Sequence, residues 1–156
     1  MEKLRFRLAD PAEYPALRNL ILESFAPITW FRQLDEQFGP LNGLDWRARW
    51  QRRLDDVFRT QIILVGESGG VILAAATGTA DVASSLGFID LLAVDIRHQG
   101  GGIGRQMLEG MLAHFRSLGM EHANLECLSG NERANRLYLS AGWTLVTSSH
   151  KWFIRL

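Results

Sequence analysis

The chain has 156 residues, 47% of them apolar, and its 17 lysines and arginines balance 17 aspartates and glutamates. That length fits one domain that can bury its own core without disulfide or metal staples. Charge balance excludes binding to nucleic acid or anionic membrane through an overall field, and no apolar run approaches the ~20 residues of a membrane span.

Lys3 to Leu8 alternates polar and apolar residues, as an outer strand does. Asp10-Pro11-Ala12-Glu13 reads as a helix start, with a capping acid, a proline and a glutamate in register. Leu17, Leu20, Ile21, Ser24 and Phe25 then fall on one helical face, although Pro15 removes an early hydrogen bond and predicts an irregular start. Phe31, Leu34 and Phe38 suggest a short helix closed by Gly39-Pro40. Asp45 caps a further helix with Trp46, Trp50, Leu54, Val57 and Phe58 on one side. Thr60 to Gly66 and Val71 to Gly78 read as strands joined at Ser68-Gly69-Gly70. Leu86 to Val94 is almost wholly apolar, a strand covered on both faces. Ile103 to Leu118 has amphipathic spacing and ends at Gly119. Ala123 to Leu128 reads as a strand and Asn131 to Ala141 as a helix stopped by Gly142. Trp143 to Thr147 and Lys151 to Leu156 read as two last strands. The predicted architecture is an α/β sandwich of mixed pairing, one domain over 1–156.

Between the apolar run ending at Val94 and the helix starting near Ile103 lies Gln99-Gly100-Gly101-Gly102-Ile103-Gly104. A buried strand, a loop of bare amides and a helix N-terminus meet there, the arrangement that holds a phosphate. Glycines let an anion approach the N–H groups and tolerate positive φ. The dinucleotide fingerprint G-x-G-x-x-G fails, because Arg105 stands sixth from Gly100, and no Lys-Ser or Lys-Thr follows any glycine as a P-loop requires. What remains is Q-x-x-G-x-G followed by Arg105.

Downstream comes Asn131-Glu132-Arg133-Ala134-Asn135-Arg136-Leu137-Tyr138, then Ser140-Ala141-Gly142-Trp143. With both segments in this order, the chain resembles the Gcn5-related N-acetyltransferase (GNAT) family. That family carries [QR]-x-x-G-x-[GA] after its fourth strand and N-x-x-A-x-x-[LF]-Y-x-x-x-G-[FW] some thirty residues later. The match covers roughly residues 86 to 143; the N-terminal half agrees only in the order of its elements. The resemblance implies a mixed central sheet of about seven strands flanked by about four helices.

It also implies acetyl-CoA as donor, with the diphosphate on the amides of Gln99, Gly100, Gly101, Gly102, Ile103 and Gly104 and a charge-assisted contact from Arg105. By the same resemblance, a bulge in the preceding strand frees backbone groups at Leu92 and Val94 for the pantetheine arm, and the Leu92 N–H serves the developing oxyanion. Tyr138 becomes the general acid, since a phenol with pKa near 10 keeps a proton to give at neutral pH. By spacing alone it reads instead as a core member of the apolar stripe Ala134, Leu137, Tyr138 and Ala141, and it is the family resemblance that makes it catalytic. Asn131 donates to the pantetheine arm or caps its helix, and Ala134 falls in the same cofactor-binding segment.

The general base is less well marked. Some family members place a glutamate early on the fourth strand, where this chain has Phe88. Asp90, two residues before Leu92, is expected to share its strand face, as base or as a structural carboxylate. Glu126 is a second candidate on the neighbouring strand. His98 is expected at the surface and His150 in a turn. Cys127, the single cysteine, forms no internal disulfide and has nothing nearby to lower its pKa, so it reads as structural and suits a cytoplasmic protein. No signal-peptide core follows Met1–Arg7. The arginines at 47, 49, 52, 53 and 59 read as a solvated helix face or an anionic-acceptor site. Trp30, Phe31, Trp46 and Trp50 read as core or as an aromatic-lined acceptor pocket.

The expected activity is acetyl transfer to an amine of a small-molecule or peptide acceptor, by direct attack in a ternary complex. No metal, nucleic acid or membrane is called for, and C-terminal edge strands allow a homodimer. The alternatives are an acyl-CoA-binding sensor or an interaction domain of the same fold.

Overall fold

The computed structural model describes residues 2–156, which divide into two compact units, one running to Glu126 and the other Cys127–Leu156. The first unit is a five-stranded sheet with four helices. Its strands are β1 (Arg5–Leu8), β2 (Ile62–Ser68), β3 (Val71–Asp81), β4 (Leu86–Val94) and β5 (His122–Leu125). They lie in the order β1-β2-β3-β4-β5, antiparallel except for the parallel β4–β5 pair. The helices are α1 (Tyr14–Phe25), α2 (Trp30–Phe38), α3 (Trp46–Thr60) and α4 (Ile103–Ser117).

The expected irregular start of α1 has a local cause. Asp10 and Glu13 close a capping box around a 3-10 turn at Pro11–Glu13, and α1 begins only afterwards. Pro15 therefore falls in the first turn, where its missing N–H has no helical partner to lose. Asp45 caps α3 by accepting from the Ala48 amide at 2.8 Å, and Thr29 caps α2. The same Thr29 hydroxyl accepts from the Trp50 indole at 2.6 Å, which ties α2 to α3 inside the core.

The sheet has one face for α1 and α3 and the other for α4. Leu17, Ile21, Trp50, Leu54 and Val57 pack with Ile63, Val65, Ala75, Leu91 and Ala93 on the first face. On the second, small residues let α4 come close: a Cβ at Gly66 would lie 3.2 Å from the Met107 sulfur, and one at Gly87 only 2.6 Å from the Phe115 ring. Phe115 is 2% exposed and has nowhere to retreat. Gly87→Ala is therefore expected to destabilise the protein by about 1–3 kcal/mol, read as a lower urea midpoint at unchanged m-value.

The second unit contains α5 (Glu132–Ser140) and extended chain. Among the described residues five strands and five α-helices thus replace the expected seven and four. The short helix expected at Phe31, Leu34 and Phe38 is present as the nine-residue α2, with Gly39 as its C-cap. The strand expected at Ala123–Leu128 runs only over His122–Leu125, and neither Trp143–Thr147 nor Lys151–Leu156 is a strand. Leu145, Val146, Trp152 and Ile154 are exposed. Their alternation describes a pleated surface, but Cys127–Leu156 holds no sheet to receive them, and an isolated hairpin gains too little to form.

Candidate functional site

β4 carries one extra residue against β3. Leu91 stands opposite Thr77 and Ile89 opposite Gly78, so Asp90 is left over as a bulge. The Asp95 N–H donates to the Leu73 carbonyl at 2.8 Å. Counting back through the antiparallel register, Ala93 and Leu91 turn their N–H and C=O groups toward β3, while Leu92 and Val94 turn theirs to the opposite edge. β5 pairs with β4 only from Leu86 to Ile89, so beyond Ile89 that edge meets no strand. At Val94 side chains take the place of a strand: the N–H donates weakly to Ser24 Oγ at 3.4 Å, and the carbonyl accepts from Gln99 Nε2 at 3.2 Å. No side chain among the described residues takes the Leu92 groups.

From Val94 the chain turns through Asp95, whose carboxylate caps the 3-10 turn Ile96–His98. Hydrogen bonds from the Arg97 side chain hold the Asp95 carboxyl well below the usual range, against the opposing effect of burial. His98, expected at the surface, is half-buried and has Nδ1 at 3.6 Å from the same carboxylate. Gly100 and Gly102 adopt φ of 93° and 80°, the left-handed region that a glycine occupies without strain. Gly102 is the N-cap of α4, and no side chain caps that helix. α2, α3 and α5 are each capped by a side-chain oxygen. The first turn of α4 (Ile103, Gly104 and Arg105) thus presents its amides behind glycine alone, with the positive end of a 15-residue helix dipole at that point.

Asp90 departs from expectation. The bulge breaks the alternation of β4, so Asp90 and Leu92 do not share a face. The Asp90 carboxylate accepts from Arg53 Nη2 at 2.7 Å and from Gln61 Nε2 at 2.9 Å, on the α3 side of the sheet. Leu92 and Val94 lie opposite Ala76 and Ala74, and Ala74 neighbours Gly66 under α4. Around Asp90 opens a cavity of about 540 Å³ lined by Arg52, Arg53, Asp56, Val57, Thr60 and Gln61. The sequence marks Asp90 and the arginines at 52 and 53 separately but does not join them in one wall, because the carboxylate's partners lie 37 and 29 residues away. The available signal was the pair of i, i+4 steps Arg52, Asp56, Thr60, which align polar groups on one side of α3.

The other arginines of α3 are spent. Arg47 stacks on Trp46 and pairs with Glu23, Arg49 pairs with Asp35 at 2.8 Å, and Arg59 pairs with Asp56. Phe31, Trp46 and Trp50 belong to the core between α1, α2 and α3, with Trp30 edge-on to Phe31. Glu126 is exposed just past the end of β5 rather than within the strand, and His150 is exposed in extended chain.

In the second unit, Asn131 is a helix cap. Its side-chain oxygen accepts from the Ala134 amide at 3.3 Å, which commits both of these sequence-selected residues to starting α5. Tyr138 is partly buried, its ring 6.0 Å from that of Trp143. Burial, with a smaller effect of the neighbouring Cys127, pushes its phenol up to about 12. Burial also pushes the Cys127 thiol up, which disfavours the thiolate a nucleophile needs.

A family model described as the acetyltransferase (GNAT) family matches residues 28–143. A mycothiol acetyltransferase from Propionibacterium freudenreichii subsp. shermanii is 36% identical over 62 residues, which are 40% of this chain and 20% of that protein. The chain thus spans about a fifth of that curated relative. Among solved structures, an aminoglycoside N-acetyltransferase in complex with CoA superposes with a TM-score of 0.68 at 10% identity, covering 100% of this chain and 97% of that one. The ribosomal-protein-S18-alanine N-acetyltransferase from Escherichia coli gives 0.68 at 17% identity, over 92% and 79%. At these identities the structural likeness is one of fold. Among the described residues no helix is long and apolar enough to cross a membrane, and no three His, Cys, Asp or Glu gather as a metal site.

Proposed function

The chain belongs to the acetyltransferase (GNAT) family, and from that premise we propose that it moves an acetyl group from acetyl-CoA to the amine of a small acceptor, by direct attack in a ternary complex. The observation that carries this reading is the helix N-terminus of α4, capped only by glycine, set directly after the strand edge that β5 leaves unpaired. A diphosphate suits the first and an extended amide-bearing arm suits the second. The amides of Gln99 through Gly104 hold the phosphates, with Arg105 beside them. Leu92 and Val94 receive the arm along the outer edge of β4.

Each residue's task follows from its chemistry. The Leu92 N–H holds the thioester oxygen and stabilises the charge that grows on it as the amine attacks. A C–N bond forms and the C–S bond breaks. Tyr138 gives its proton to the departing sulfur, so that coenzyme A leaves as a thiol. Asp90, two residues before Leu92, takes the proton that the amine loses, and Arg53 and Gln61 fix its orientation. A phenol pushed up to about 12 keeps its proton throughout the neutral range, as an acid must. Asn131 and Ala134 contribute by starting α5, the helix that carries Tyr138. The relatives' acceptors include an aminoglycoside in one case and a ribosomal-protein alanine in another, so likeness alone names no acceptor. One cysteine, half-buried, suits a reducing cytoplasm.

Acetyl-CoA at about a hundredfold excess over its Kd is expected to stabilise the native state by about 2.7 kcal/mol, a rise in melting temperature of about 5–10 °C. Differential scanning fluorimetry reads the shift, and a flat melting temperature up to millimolar donor counts against the whole reading.

A further inference from the structure

The cavity around Asp90 has a composition that says more than that an amine enters it. Two acids and two guanidinium groups line it, with Val57 as its one aliphatic side chain. The acids are engaged from within the protein: Asp90 by Arg53 and Gln61, Asp56 by Arg59. Arg53 is doubly fixed, since its guanidinium also lies 4.8 Å from the centre of the Trp50 ring. Arg52 meets no carboxylate at ion-pair distance among the described residues. The wall therefore carries one uncommitted positive charge alongside the Asp90 carboxylate, which is 15% exposed and opens on the cavity.

We propose that this cavity binds the acceptor, and that the acceptor is a small amine also bearing a carboxylate, with its ammonium nitrogen against Asp90 and its carboxylate against Arg52. This inference rests on the acetyl-transfer reading and deepens it. Asp90 stands two residues before Leu92, roughly 7 Å along the strand, with its carboxylate on the α3 side of the sheet. The cavity is broadly open to solvent, and its volume of about 540 Å³ has room for an amino acid. A planar guanidinium receives a carboxylate through two parallel N–H bonds. A phosphate monoester shares that chemistry, but its second charge faces Asp56 and Asp90 in the same walls, and one uncommitted arginine matches one negative charge.

Matched acceptors test this: L-lysine against cadaverine, L-phenylalanine against phenethylamine, and L-serine against ethanolamine, with phosphoethanolamine as the phosphate arm. Their Kd values are measured by calorimetry on protein saturated with coenzyme A, so the result does not depend on turnover. In at least one pair the carboxylated member is expected to bind about tenfold tighter, equivalent to ~1.4 kcal/mol. Arg52→Ala and the milder Arg52→Gln are expected to bring that ratio to about one, while Arg116→Ala, at an exposed position of α4, leaves it unchanged. The inference is overturned if every pair binds alike, if no member binds, if phosphoethanolamine binds tightest, or if the advantage survives loss of Arg52. Titration with acetyl-CoA separates the two levels. A protein that does not bind the donor loses the underlying reading, whereas one that binds it and shows no carboxylate preference loses only this inference.

Discussion

Tyr138→Phe is expected to lower kcat by about 10²–10⁴-fold while the Kd of acetyl-CoA stays within about twofold. The substitution keeps the ring and so keeps its packing beside Trp143. It removes one O–H, the group proposed to hand a proton to the departing sulfur. Stopped-flow thiol release and donor titration separate the two effects. A loss of affinity without loss of rate would make Tyr138 a packing residue, the reading its apolar stripe suggests. The pH dependence gives a second check. A tyrosine raised to about 12 in the folded protein, against about 10 in the unfolded chain, favours the native state only while the phenol is neutral. That contribution is present below pH ~10 and is lost as pH climbs from ~10 toward ~12. The rate should therefore rise as the amine acceptor deprotonates, with no falling limb from Tyr138 below about pH 10.

The second large effect is expected at Gly102. Its φ of 80° and its place as N-cap of α4 set two consequences of Gly102→Asp against each other. Left-handed backbone costs a side chain roughly 1–2 kcal/mol, whereas a carboxylate at a helix N-terminus returns roughly 0.3–1 kcal/mol. Stability should fall only slightly. Acetyl-CoA affinity should fall by about a hundredfold or more, because the new anion stands where the diphosphate would and repels it. Gly102→Ala has the strain without the charge, so it should destabilise more and weaken the donor less. An equal loss of affinity in both variants would assign the effect to backbone geometry instead of electrostatics.

Much of this arrangement is legible in the residues themselves. Gly100 to Gly104 mark a loop of bare amides because no side chain stands there to cap a helix. Asp45 and the Asp10–Glu13 pair mark helix starts through hydrogen bonds made within a few residues. A bulge in β4 is what the family resemblance implies, but its place at Asp90 was not readable from the residues. An extra residue in a ladder is defined by the partner strand, and nothing in Phe88 to Val94 says where β3 slips. One slipped residue was enough to turn Asp90 away from the face of Leu92 and toward Arg53. The fate of Trp143 to Leu156 was hidden for a similar reason, since alternation specifies a strand's two faces and leaves its neighbour unspecified.

The side chains of Ser24 and Gln99 at Val94 set a limit on what an incoming arm gains there. Whatever lies along that edge must first dislodge both, so it swaps one pair of neutral contacts for another. Such an exchange returns little net free energy. Grip on the carrier molecule must then come chiefly from its charged end, and truncated carriers without that end should be poor ligands even when the reactive thioester is intact.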